Sequence, residues 1–215
     1  MKVTRDGDLL VARLDSPHRV VSWAVVGGGL GRARAVVWLR VRNADLGPEQ
    51  DPTALLQDRL RVADLTGAVG LLTAANLDRF EESTARRGDV EARAVVTVGM
   101  SNALRVGDPP RGLSVGTINL LVTVSVPLSE EALLEAMAVA TEARTVAVVN
   151  AGIRSSESDG VASGTGTDCV VVAAPDLGEP RRYAGKHTDV GHVVGASVLE
   201  ATARGVAAWK ARCSR

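Results

Sequence analysis

The chain has 215 residues, 46% of them hydrophobic and 23% charged, so it is long and apolar enough to bury a core without disulfides or a structural metal. Its 25 basic residues balance its 25 acidic ones, and it has only three Trp, one Tyr and one Phe, which argues against a nucleic-acid or membrane-surface partner. With two cysteines, no apolar run of bilayer length and mixed charges in residues 1–8, we expect a cytoplasmic protein in a reducing compartment.

The first predicted elements are strands. Residues 8–14, 20–26 and 33–41 are short runs rich in β-forming residues. Ser-Pro at 16–17 and the glycine-rich residues 27–31 separate them. This pattern predicts a β-meander that opens a sheet.

A helix and three further strands come next. Asp51 supplies an N-cap, Pro52 fits the first helical position, and Thr66-Gly67 ends the segment. Strands are then predicted over residues 69–74, 91–101 and 115–126. One face of the last strand is apolar and consists of Ile118, Leu120, Val122, Val124 and Val126.

The C-terminal part combines two helices, a long loop and one strand. Ser129 is a predicted N-cap for a helix to about residue 148, with acidic residues in its first turn. A loop over residues 150–167, a strand over 168–174 and a helix over 189–212 follow. Because several strands follow one another without a helix, we predict a single α+β domain over residues 1–215. It would hold about seven to eight strands in mainly antiparallel layered sheets, packed by three longer helices.

The turn Gly164-Thr165-Gly166-Thr167-Asp168 is the strongest candidate site in the chain. Glycines allow successive backbone N–H groups to converge on one acceptor, while the hydroxyls and the carboxylate supply donors and a base. The same residues also suit a plain tight turn in which Thr and Asp satisfy their own backbone. The local pattern leaves both interpretations open.

Other motifs are weaker. The glycines at 27–31 lack the third glycine of a dinucleotide fingerprint, so a hairpin loop is the better interpretation. Residues 98–103 resemble a serine nucleophile elbow with Ala103 in the place of the last glycine. Cys169 is a candidate thiol nucleophile with His187, although a cysteine that enters an apolar run is usually a core residue. No spacing of His and Cys indicates a metal site.

Several segments together resemble one family, the adenosylcobinamide amidohydrolases of cobalamin salvage. The segments keep their order over nearly the whole chain. They are residues 72–76 (Leu-Thr-Ala-Ala-Asn), 97–103 (Thr-Val-Gly-Met-Ser-Asn-Ala), 116–119 (Gly-Thr-Ile-Asn), 140–143 (Ala-Thr-Glu-Ala), 164–168 and 183–188 (Tyr-Ala-Gly-Lys-His-Thr), with Gly191 and Gly195.

The resemblance implies hydrolysis of the amide between the aminopropanol arm of adenosylcobinamide and a propionate of the corrin ring. It implies a corrinoid substrate without metal or organic cofactor, and it leaves homo-oligomerisation open. The catalytic candidates are Asp168, His187 and Thr167, with Asp168 or His187 as base and acid. The predicted substrate-binding residues are Ser101, Asn102, Thr117, Asn119, Glu142, Gly164, Thr165 and Gly166.

One position departs from the family pattern. An acidic residue usually follows the glycine that corresponds to Gly191, whereas this chain has His192. Two other functions stay open at this point. One is a non-catalytic corrinoid-binding protein, and the other is a serine or cysteine acyl hydrolase that uses Ser101 or Cys169 on an unrelated amide.

Overall fold

A computed structural model describes residues 1–47, 50–110 and 116–213 of the chain. Within these residues lie ten strands and three α-helices. The strands are β1 (Lys2–Asp6), β2 (Leu9–Ser22), β3 (Gly29–Arg40), β4 (Val69–Thr73), β5 (Glu81–Arg87), β6 (Val90–Val98), β7 (Ala103–Leu104), β8 (Ile118–Val124), β9 (Gly164–Thr165) and β10 (Cys169–Pro175). The helices are α1 (Pro52–Val62), α2 (Glu130–Asn150) and α3 (Asp189–Cys213), and single 3-10 turns occur at Asn43–Leu46 and Leu77–Arg79.

Eight strands form one sheet in the order β4-β3-β2-β10-β8-β6-β5, with β1 beside β2. Most neighbours are antiparallel, while β3 with β4 and β10 with β8 are parallel. Parallel neighbours need a crossover connection, and these two pairs are the ones that a helix connects, α1 and α2 respectively. The predicted α+β class is confirmed, and the sheet is mixed rather than purely antiparallel.

The three predicted helices are confirmed, and their caps follow the sequence signals. The Asp51 carboxylate accepts the N–H of Thr53 at 2.9 Å at the start of α1. The hydroxyl of Ser129 accepts the N–H of Ala132 at 3.2 Å at the start of α2. None of the helices in the described ranges combines the length and apolarity that a bilayer span requires.

Some strand predictions are wrong. Ser16-Pro17 does not separate two strands, because β2 continues through it with a register shift between Arg13 and His18. A bulge of this kind lets a strand accommodate a proline, which has no N–H to donate. The predicted strand over residues 91–101 ends at Val98, and its partner β5 escaped prediction because it is a charged outer strand. Position 115, the predicted start of the next strand, lies outside the described residues.

The sheet buries both faces and curls. On β8, the side chains of Ile118, Leu120, Val122 and Val124 belong to the core beneath α2 and α3, as the alternation predicts. Leu121, on the opposite face, packs in a second core with residues of β2, β3 and β4. Because β4 ends the strand order, this contact shows that the sheet curls β4 back toward β8.

Four strand ends meet at one edge of the sheet. Val98 at the end of β6 pairs with Ile118 at the start of β8. Cys169, at the start of β10, pairs with Asn119, and Ser22 at the end of β2 pairs with Val171. We call this edge the site edge, since it brings the segments after β2 and β6 next to those before β8 and β10.

Candidate functional site

The carboxylate of Asp168 is the centre of the 164–168 turn. One of its oxygens accepts the backbone N–H of Ile118 at 3.0 Å and the hydroxyl of Thr165. The other accepts the N–H of Thr165 at 3.0 Å and the guanidinium of Arg144 at 2.7 Å. A carboxylate offers about four lone-pair positions. Asp168 therefore uses its acceptor capacity to hold the turn against the start of β8.

Arg144 approaches Asp168 from α2. The side chains of Arg144 and Asp168 are 10% and 7% exposed, so this is a buried ion pair. The same guanidinium nitrogen also donates to the carbonyl of Ser163 at 2.9 Å. Breaking such a pair leaves an uncompensated buried charge, which is costly.

Gly164 makes the ion pair fit. A Cβ atom built on Gly164 would lie closer than 3.0 Å to both the Arg144 guanidinium and the Asp168 carboxylate. Real Cβ atoms essentially never approach so closely. Glycine is therefore required here for close packing of two charged groups rather than for an unusual backbone angle.

Thr167 lies on the exposed crest of the turn. Its hydroxyl donates to the carbonyl of Gly116 at 3.0 Å. Its oxygen also forms a close hydrogen bond with the hydroxyl of Thr117. Either hydroxyl can be the donor in that pair, and the Thr117 hydroxyl also lies 3.4 Å from the backbone carbonyl of Thr167. Because Thr167 is exposed, its hydroxyl can also form a hydrogen bond with a molecule above the turn.

Ser101 and Asn102 follow β6 and lie against Gly116. A Cβ atom on Gly116 would be closer than 3.0 Å to the Ser101 hydroxyl and to the side-chain oxygen of Asn102. The Ser101 residue is exposed, whereas Asn102 is buried. The chain then enters the two-residue strand β7, which pairs with β9 of the turn, rather than a helix. This geometry does not match the strand-turn-helix arrangement of a nucleophile elbow.

Asn119 lies just below this surface and connects two strands. Its side-chain N–H donates to the carbonyl of Leu72 on β4 at 2.7 Å, and the residue is almost completely buried. This bond joins β8 to the curled end of the sheet. The predicted contact between Asn119 and substrate stays a prediction. In the structure, the Asn119 side-chain amide connects β8 to β4.

The β2–β3 hairpin also reaches the site edge. The indole N–H of Trp23 donates to the backbone carbonyl of Asp168 at 2.7 Å. The glycine-rich residues 27–31 form the loop and first residues of this hairpin, and β3 follows instead of a helix. This confirms the hairpin interpretation over a dinucleotide fingerprint.

His187 and Glu142 lie apart from the turn. Glu142 forms an exposed ion pair with Lys186, with N–O distances of 2.7 and 2.8 Å. Asp189, two residues after His187, accepts a hydrogen bond from Arg87 at 2.8 Å. Arg87 ends β5 beside the start of β6, whereas Ser101 follows the other end of β6. A Cβ atom built on Gly185 would lie 3.2 Å from the His187 ring and 4.0 Å from the Glu135 carboxylate. Since Glu135 precedes Arg144 on α2 by two and a half turns, roughly 14 Å at about 1.5 Å per residue, residues 183–188 would have to move for His187 to reach Asp168.

Cys169 is buried at the first position of β10, and its sulfur lies 3.9 Å from the hydroxyl of Ser22. Burial raises the pKa of the Cys169 thiol from 9.0 to about 11. The thiol is therefore protonated at neutral pH and is a poor nucleophile. Among the residues that the structure describes, no three His, Cys, Asp or Glu side chains converge as metal ligands would.

The structure thus brings together most of the sequence-predicted positions and adds two. The residues that meet at the site edge are Ser101, Asn102, Thr117, Gly164, Thr165, Gly166, Thr167 and Asp168, with Asn119 beneath them. Sequence reasoning missed Arg144 and Trp23. A signal for Arg144 existed, because Ala140, Ala143 and Ala147 form the buried face of α2 and helical spacing places residue 144 on that face.

Comparisons of the sequence with a family model and with a named relative agree with the resemblance seen in the sequence. A family model described as adenosylcobinamide amidohydrolase matches residues 1–214. A Methanosarcina mazei protein named adenosylcobinamide amidohydrolase is 30% identical over 150 residues, which are 66% of this chain and 67% of that protein. An uncharacterized protein of Methanocaldococcus jannaschii is 28% identical over 149 residues, 60% of this chain and 58% of that protein, so the match spans less than two thirds of its length. Among solved structures, a Burkholderia sp. beta-aminopeptidase gives a TM-score of 0.47 at 13% identity, covering 94% of this chain and 81% of its own.

Proposed function

The chain belongs to the adenosylcobinamide amidohydrolase family, and on that premise we propose that it cleaves the aminopropanol amide of adenosylcobinamide. The family makes it a hydrolase that acts on an amide bond. Water would add its hydroxyl to the propionate carbonyl, the C–N bond would break, and the amine would take up a proton. The products are adenosylcobyric acid and 1-amino-2-propanol, and the acid would re-enter cobalamin synthesis as part of corrinoid salvage.

The observation that carries the proposal is the 164–168 turn, which presents Gly166 and Thr167 to solvent above a buried ion pair. Amide hydrolysis needs a positioned water and donors for the oxyanion that forms in the transition state. We assign the water to the exposed hydroxyl of Thr167. The backbone N–H groups of Gly166 and Thr167 are the oxyanion donors. The Ser101 hydroxyl, exposed beside them, contacts the substrate amide.

Asp168 has a positioning role in this proposal. Its carboxylate already accepts four hydrogen bonds, and its side chain is 7% exposed, so it contacts the turn rather than the substrate. Through Thr165 and Ile118 it fixes the distance between the turn and β8. His187 stays a sequence prediction for the acid that protonates the leaving amine, and its distance from the turn argues against that role.

The experiment is incubation of the purified chain with adenosylcobinamide, followed by mass measurement of both products. The variant Thr167→Val removes the hydroxyl but keeps the size of the side chain. We expect kcat to fall at least about tenfold. Tm should fall by about 2–8 °C, because the exposed side chain loses its hydrogen bonds to the Gly116 carbonyl and to Thr117. Thr84→Val, on the exposed face of outer strand β5, is the matched control and should leave both quantities unchanged. Normal kcat in Thr167→Val would remove Thr167 from the mechanism.

A non-catalytic corrinoid-binding protein remains the alternative, and the same incubation separates the two. Binding without release of 1-amino-2-propanol would contradict hydrolysis. The alternative with a Cys169 nucleophile is disfavoured by the raised pKa of its buried thiol.

A further inference from the structure

The tip of the β2–β3 hairpin exposes three large apolar side chains at the site edge. Trp23 is 47% exposed, Val25 is 43% exposed and Leu30 is 51% exposed. All three fall within residues 23–30, which we call the hairpin tip. The other two tryptophans differ, because Trp38 is completely buried and Trp209 packs partly buried against the main core.

Hydrogen bonds hold the backbone of the hairpin tip in place although its apolar side chains face solvent. The N–H of Ala24 donates to the hydroxyl of Ser22 at 2.9 Å. Val26 and Gly70 of β4 exchange two backbone hydrogen bonds at 2.9 and 3.3 Å. A Cβ atom on Gly28 would lie closer than 3.0 Å to the carbonyl of Ala24, so the loop folds tightly back on itself. Apolar residues scattered singly on a surface are ordinary, whereas several large ones exposed within one short segment are typical of a binding surface.

The hairpin tip is physically continuous with the candidate active site. The indole N–H of Trp23 donates to the carbonyl of Asp168 at 2.7 Å, and the next residue toward the N-terminus is Thr167. This bond fixes the orientation of the indole while leaving about half of the residue exposed. A pre-oriented aromatic ring loses little conformational entropy when a ligand covers it.

We infer that the corrin macrocycle of the substrate rests on the hairpin tip, with Trp23 as the main contact, while the aminopropanol arm reaches the 164–168 turn. This inference rests on the proposed function, because it takes the corrinoid as ligand. A corrin ring is a broad, methyl-rich macrocycle whose polar amides lie on its arms. An apolar surface next to a polar turn is complementary to such a molecule, since ring and reacting amide then each meet groups of like polarity.

The role assigned to Trp23 is substrate positioning, which predicts an effect on KM rather than on kcat. We expect Trp23→Ala to raise KM for adenosylcobinamide about tenfold, because the exposed half of a Trp side chain would no longer be covered on binding. The turnover number should stay within about threefold of the parent chain. Leu30→Ala should raise KM by a smaller factor of about two to five.

Trp23→Phe separates ring contact from a purely structural role. It keeps an aromatic ring but removes the hydrogen bond to Asp168. We expect it to retain more substrate affinity than Trp23→Ala. Leu177→Ala is the control, because Leu177 is 83% exposed and lies beyond the end of β10 opposite to Asp168. It should leave KM and kcat unchanged.

Three results would overturn the inference: KM within twofold of the parent in Trp23→Ala, equal effects of Trp23→Phe and Trp23→Ala, or a loss confined to kcat. Dissociation constants for adenosylcobinamide, measured by calorimetry on the same variants, keep this test apart from that of the proposed function. If the parent chain binds the corrinoid but releases no aminopropanol, hydrolysis fails and the affinity ranking still decides the role of Trp23. If the parent chain does not bind adenosylcobinamide, both proposals fail.

Discussion

Replacing Gly164 by alanine tests the packing that places the turn. A single methyl group would enter the space between the Arg144 guanidinium and the Asp168 carboxylate, closer than 3.0 Å to each. Overpacking of an interior by one group costs about 1–3 kcal/mol. Loosening a buried ion pair adds to that cost, since complete loss of one partner costs about 3–5 kcal/mol. We therefore expect the free energy of unfolding to fall by about 2–4 kcal/mol.

For a chain of this length, 1 kcal/mol corresponds to about 2–4 °C in Tm, so Gly164→Ala should unfold roughly 5–15 °C below the parent chain. Thermal unfolding by circular dichroism measures this shift. Gly166→Ala is the matched control in the same turn, because its new methyl would meet the flexible end of Leu104 at 3.3 Å and the Asn102 side-chain amide at an ordinary contact distance of 3.6 Å. If Gly164→Ala melted within about 1 °C of the parent chain, the tight packing of Gly164 against the ion pair would be refuted.

Four further predictions concern the buried ion pair, the Cys169 thiol and His187. Arg144→Met should lower the free energy of unfolding, measured in urea, by about 3–5 kcal/mol, because the Asp168 carboxylate is then buried without its cation. A change below about 1 kcal/mol would mean that water reaches the carboxylate. At pH 8, iodoacetamide should label the exposed Cys213 and spare Cys169, whose pKa of about 11 leaves about one thiol in a thousand ionised. Mass spectrometry of peptides measures labelling at both cysteines, and rapid labelling of Cys169 in the folded chain would contradict its burial. The stability that the Cys169 thiol contributes should be complete below pH 9 and should decline as the pH rises from 9 toward 11, because the unfolded chain ionises first. His187→Ala should keep kcat within about threefold, since the residue lies far from the turn, and a loss of about a hundredfold would restore His187 as general acid.

Much of the fold follows from local sequence signals. The capping residues Asp51 and Ser129 mark the starts of α1 and α2, and the alternation from Ile118 marks the inner face of β8. Local signals fail where tertiary context decides. Ser16-Pro17 forms a bulge within β2, because β3 pairs with β2 on both sides of the irregularity.

The same distinction holds for the candidate site. The 164–168 turn is visible in the sequence because its glycines and threonines lead into an aspartate, a pattern that predicts a sharp turn and also supplies polar groups for a site. The pairing of Asp168 with Arg144 is not visible in the sequence. An arginine on an apolar helix face indicates that the side chain is buried but not which residue it pairs with. The two interpretations of the turn, as a site and as a plain structural turn, are compatible. Asp168 accepts a hydrogen bond from Thr165 within the turn, while Thr167 is exposed to solvent.

Predictions about His187 rest on sequence neighbourhood alone. Its segment resembles the family pattern, yet the Arg87–Asp189 ion pair holds the start of α3 near the turn between β5 and β6. Distances between segments far apart in sequence depend on strand order and on the direction of each strand. Neither quantity is encoded in the residues near His187.

The central claim is that this chain hydrolyses the aminopropanol amide, and the most direct measurement is product mass after incubation with adenosylcobinamide. Reaction in water enriched in oxygen-18 adds the decisive detail. The account predicts one equivalent of 1-amino-2-propanol for each corrinoid consumed, with one labelled oxygen in the new carboxylate. Recovery of intact adenosylcobinamide from a chain that binds it would contradict the account.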